Sequence, residues 1–150
     1  MGKSTAALAL ALAGFGLLQN ALAEPAEKIP PCYGPKRWAT QIALDQMVEA
    51  GLIRDVASIY REGDTPYFLK TKLLESKKIG EYTSPGYPPE SIYRQIQQFV
   101  VKTKEGQSYE VLTISEASPK ECSMASLATV VLSPEFRILN TGKSVLDKKK

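Results

Sequence analysis

Residues 34–60 read GPKRWATQIALDQMVEAGLIRDVASIY, and the hydrophobic period changes once within them. Up to Gly51 the apolar residues Ala39, Ala43, Leu44, Met47, Val48 and Ala50 recur at helical spacing. Gln41, Asp45 and Glu49 fall on the opposite side. Pro35 suits a first helical position, where a missing N–H costs nothing, and Gly51 suits a left-handed stop. Trp38 and Ile42 lie near the polar edge of this helix. Beyond Gly51 the period becomes 2: Ile53, Ala57 and Ile59 alternate with Arg54, Ser58 and Tyr60. One helix therefore leads into strands.

The strand pattern continues to the end of the chain. The run after Gly51 stops at Glu62-Gly63-Asp64, and Tyr67 to Leu74 returns from it, with Pro66 placed where a ladder donor is least needed. Glu75 to Pro89, with two glycines and three prolines, reads as a long connection. Ile92 to Lys104 is rich in β-branched and aromatic residues, although Ile92, Ile96 and Phe99 also match a helical start. A turn at 104–107 returns it through Tyr109, Val111 and Thr113. Leu127 to Leu132 (LATVVL) is the most continuous apolar run and the best candidate for a central strand. Phe136 to Leu139 extends it past Pro134. Residues 140–150 are polar, end in three lysines, and read as a frayed tail.

One helix followed by about five hairpin-connected strands predicts an α+β domain, with the N-terminal helix laid across an antiparallel sheet over residues 34–139. This element order is similar to cystatin-like folds, in which one helix is wrapped by a curved sheet. The similarity implies an architecture and nothing about activity.

Ahead of the domain, residues 24–33 hold three prolines and read as an extended lead-in. Residues 1–23 resemble an export signal. Lys3 supplies the positive start, Ala6 to Leu18 the apolar stretch, and Ala21-Leu22-Ala23 the small-x-small cleavage pattern. The apolar stretch is shorter than the roughly 20 residues that a membrane-crossing helix needs. The mature chain is accordingly expected in the periplasm or outside the cell, without transmembrane insertion. In such a compartment the two cysteines, Cys32 and Cys122, are expected to form one structural disulfide.

Composition excludes much chemistry. The 150 residues hold 19 Lys+Arg, 16 Asp+Glu and no His. A balance this close to neutral offers no electrostatic case for nucleic acid. Without imidazole there is no Ser–His–Asp triad, no Cys–His pair and no histidine-ligated metal. A Ser-x-x-Lys pair and a Gly-rich phosphate loop are also missing from the sequence, and no cofactor is expected. Two-carboxylate hydrolysis of a cell-wall or other carbohydrate needs only Asp or Glu in a groove, and forms the competing class. Asp45 and Glu49 share a helical face but read as solvated; Glu62 and Asp64 read as turn residues.

For binding, the informative segment is Gly80 to Arg94 (GEYTSPGYPPESIYR). It sets Tyr82, Tyr87 and Tyr93 among three prolines, with Arg94 beside them. Tyrosine brings large, stiff, amphipathic area, and proline lowers the cost of ordering a loop. The expectation is a non-enzymatic module, an inhibitor, immunity-type protein or accessory subunit, touching another envelope protein through Tyr82, Tyr87, Tyr93 and Arg94. A third possibility is a small-molecule carrier with its pocket between helix and sheet.

Overall fold

The computed structural model describes residues 28–56, 61–62, 65–66 and 68–149. The leader read at 1–23 lies outside them, as do residues 57–60 of the first expected strand.

The helix, α1, runs from Trp38 to Glu49 and buries Ala39, Thr40, Ala43, Leu44 and Met47. It begins at Trp38 rather than at Pro35 because residues 34–37 form a turn. The Arg37 N–H donates to the Gly34 carbonyl at 3.2 Å, and Arg37 itself is extended. The expected stop is present at Gly51, which has φ 71°. Its N–H donates to the Val48 carbonyl and that of Leu52 to the Met47 carbonyl, both at 2.9 Å. These two bonds satisfy carbonyls that the helix end would otherwise leave open.

Two short strands follow, β1 (Arg61–Glu62) and β2 (Thr65–Pro66), paired antiparallel. The main sheet contains β3 (Phe68–Tyr82), β4 (Glu90–Lys102), β5 (Ser108–Ala117), β6 (Ala125–Ser133) and β7 (Arg137–Thr141), each antiparallel to the next in chain order. The domain is α+β, one helix on a five-stranded antiparallel sheet.

Four expectations are corrected. Ile53 is buried in a bend after the helix, not in a strand. The long connection at 75–89 is mostly strand, because β3 extends to Tyr82 and leaves only 83–89 as a turn. Leu127 to Leu132 lies in β6, one strand from the edge, and the centre is β5. Finally, the C-terminal residues carry β7 through Thr141 and a 3₁₀ turn at Val145–Lys149 that buries Val145.

The core sits between α1 and the sheet. Ala43, Leu44 and Met47 meet Phe99, Val101, Tyr109, Val111 and Val131, with Ile53 closing one side. Register explains the assembly, since Phe99 stands opposite Val111 and Val111 opposite Val131. The same side of the sheet turns polar toward the helix start. Gln97 Nε2 donates to Thr40 Oγ1 at 3.0 Å while its Oε1 accepts the Gly34 N–H at 3.0 Å. Gln95 Nε2 donates to the Pro30 carbonyl at 2.7 Å. These bonds tie the lead-in to β4. The Cys32–Cys122 disulfide ties it to the β5–β6 loop.

Gly142 follows β7 where the backbone is crowded. A Cβ there would lie 2.0 Å from the Ser126 carbonyl oxygen, so the obstruction is a strand rather than a movable side chain. Gly142→Ala is expected to cost about 2–3 kcal/mol through forced backbone displacement, read as a lower urea midpoint. Stability within 0.5 kcal/mol of the parent, on the order of a neutral surface change, would contradict this packing.

Candidate functional site

The helix covers one face of the sheet, and register decides what the other presents. Directly opposed residues share a face, so Ile96, Ile114 and Ala128 form one row across β4, β5 and β6. Gln98, Leu112, Val130 and Ile138 form the next, reaching β7. Leu132 continues along β6, 38% exposed; Ile138 is 58% exposed and neighbouring Phe136 67%. Antiparallel sheets with one helix layer usually turn a polar face outward. Here the outer face carries an aliphatic strip across β4 to β7, interrupted by the hydrogen-bonded Gln98 and Glu110 and bordered by Lys72, Glu75 and Lys77 of β3.

A groove of about 780 Å³ lies on this face, lined by Glu75, Lys77, Arg94, Ile96, Ile114 and Leu127 among others. Apart from Arg94, its charged rim belongs to β3, an edge strand on which Glu75, Lys77 and Lys78 are exposed. Lysines along an edge oppose pairing with another strand, and a rim of both signs steers no single kind of ion. The floor, being aliphatic, favours apolar contact.

Arg94 closes one end. Its Nη2 donates to Glu116 Oε1 at 3.0 Å, and Glu116 is fully buried. The other carboxylate oxygen, Oε2, accepts the Ser144 hydroxyl at 3.0 Å and the Val145 N–H at 2.8 Å. Burying a carboxylate is costly unless it is paired and hydrogen-bonded, and these three donors meet that need.

The residues expected to touch a partner do not form one cluster. Tyr82 ends β3 and is half-buried. Tyr87 projects from the 83–89 turn, 73% exposed, beside exposed Pro85, Pro88 and Pro89. Tyr93 is 3% exposed, so the expectation that its ring meets a partner is corrected: β4 turns that side chain inward. Arg94 lines the groove but spends Nη2 on Glu116. Asp45 and Glu49 are exposed on α1, away from the groove lining. The groove itself lies on the side of the sheet opposite α1, not between helix and sheet as a carrier was expected to place it.

The aliphatic outer face was missed although its signal is in the sequence. LATVVL is apolar at both parities, and so are Val111, Leu112 and Ile114 in β5. A strand apolar on both faces buries one against the helix and must show the other to something else. Among the described residues no helix is long and apolar enough to cross a membrane, and no group of three or more potential metal ligands converges. No family model, curated protein or solved structure matches the chain.

Proposed function

We propose that this is an exported, non-enzymatic binding protein that holds another protein of the cell envelope through contact, as an inhibitor, an immunity-type protein or an accessory subunit. One observation carries the reading: the sheet already has its helix, yet its outer face presents an aliphatic strip of Ile96, Ile114, Leu112, Val130 and Ile138 beside the paired Gln98 and Glu110. Contiguous apolar surface on a folded chain marks contact sites. The leader-like N-terminus and the formed disulfide support a periplasmic or secreted location.

The test is comparative. Leu132→Lys with Ile138→Lys puts two charges on the exposed part of the face, where substitutions usually change stability by less than about 0.5 kcal/mol. Proteins retained by the parent from the native envelope fraction should be lost by this variant at unchanged melting temperature. Equal retention by parent and variant would refute the assignment. Tyr87→Ala, made separately, reports whether the hairpin tip contributes.

The groove favours a second reading, a small-molecule carrier, because its volume falls within the roughly 300–1,000 Å³ of ligand sites. Native mass spectrometry of the purified chain would then show a bound mass that Ile114→Lys removes.

A further inference from the structure

The C-terminal segment leaves β7 at one edge of the sheet and reaches β3 at the other. Along that path the Gly142 N–H donates to the Leu127 carbonyl at 2.6 Å, and Ser144 and Val145 both bind Glu116 Oε2. Leu146 then lies over Gly80, where a Cβ would meet its Cδ1 at 2.9 Å. Gly80 stands opposite Ile92 in the ladder, so this end of the strap covers the outer face at Ile92, which has no exposure. The strap thus occupies the same face as the groove. The Glu116 that anchors it is held by Arg94, a groove residue.

We infer that residues 143–149 are a latch: an internal occupant of one end of the contact face, released by local opening to lengthen the groove past Arg94 to Ile92. The inference rests on the contact-face reading above and adds its regulation. The strap has the features of a segment that opens alone. It is short and is held by the Gly142 N–H that precedes it, two hydrogen bonds to Glu116 and the side chains of Val145 and Leu146, whereas β4 is paired from end to end with β3 and β5. Segments with few apolar contacts open well below the global unfolding free energy. Opening would uncover Ile92 and strip Glu116 of two of its three donors. A partner that supplies apolar cover and a hydrogen-bond donor at that end would replace what the strap provides. Occupancy by strap and partner would then be mutually exclusive.

Native-state hydrogen exchange on the parent chain is the first test. The Val145 amide should exchange at least a hundredfold faster than that of Val111 in the core; equal rates would show that the strap opens only with the whole domain, and would overturn the latch. The second uses 1-anilinonaphthalene-8-sulfonate as the probe. Gly80→Ala, which pushes Leu146 from below, and Leu146→Ala, which removes the anchor, should each raise dye affinity about tenfold. Adding Ile114→Lys, on the floor of the groove, should cancel that gain. A gain that survives this lysine, or no gain from either variant while Val145 exchange accelerates, would overturn the proposal. A slow Val145 amide beside normal loss of partner capture in the Leu132→Lys, Ile138→Lys variant would remove the latch and leave the contact-face reading standing.

Discussion

Phe99→Ala lowers the unfolding free energy by about 3–5 kcal/mol, the range for deleting a fully buried aromatic ring. Phe99 is completely inaccessible, lies in β4 opposite Val111, and belongs to the cluster that receives Leu44 and Met47 of α1. Two costs combine in that figure: the lost transfer free energy of the ring and the cavity that a five-stranded sheet cannot collapse to fill. A domain of this size has about 5–15 kcal/mol of stability in total, so the variant is left marginal. In urea the midpoint should fall with little change in slope, as for a change in stability without a change in exposed surface. A loss below about 1 kcal/mol would mean that the helix does not close over β4 and β5.

Joint replacement of Cys32 and Cys122 by alanine has the second large effect, about 2–5 kcal/mol. The two residues are separated by 90 positions, and the chain-entropy account assigns a crosslink of that span roughly 4.6 kcal/mol by its restriction of the unfolded chain. Alanine rather than serine avoids adding a hydroxyl at Cys32, which is 3% exposed. The effect also has a local part, because the lead-in held by this bond supplies the Pro30 carbonyl to Gln95 and the Gly34 N–H to Gln97. Denaturant slope separates this variant from Phe99→Ala: freeing the unfolded chain should raise the slope as well as lower the midpoint. An unchanged slope with full stability would show that the bond restrains nothing.

These predictions follow from parts of the fold that were legible in different degrees. The helix, its Gly51 stop, the disulfide and the antiparallel sheet could be read from local rules, since each depends on residues a few positions apart or on a single pair. The length of β3 could not. Glu75, Ser76, Lys77 and Lys78 look like a loop because an edge strand with one solvated side needs no apolar period, and only pairing with Ile96, Gln95, Arg94 and Tyr93 makes it a strand. Polarity also misled at the C-terminus, where burial is confined to Ser144 and Val145 and depends on Glu116, some thirty positions earlier. Glu116 itself carries no local mark, since a buried carboxylate is recognised by its partners and those come from β4 and the strap. At the candidate site the composition of the Tyr/Pro segment points to exposed rings, and Tyr87 is presented to solvent, but Tyr93 is not. The apolar run at 127–132, broken only by Thr129, reads as a central strand, but it equally describes a strand with apolar side chains on both faces.

The central claim is that this chain acts by contact through the outer face of its sheet. A photo-crosslinking residue placed at Leu132, and as a control at exposed Glu49 on the helix, tests it in the native envelope. Position 132 should give a discrete adduct of one higher mass, absent at position 49 and lost when Ile138→Lys is added. Adducts from position 49 alone, or the same adducts from both positions, would contradict it.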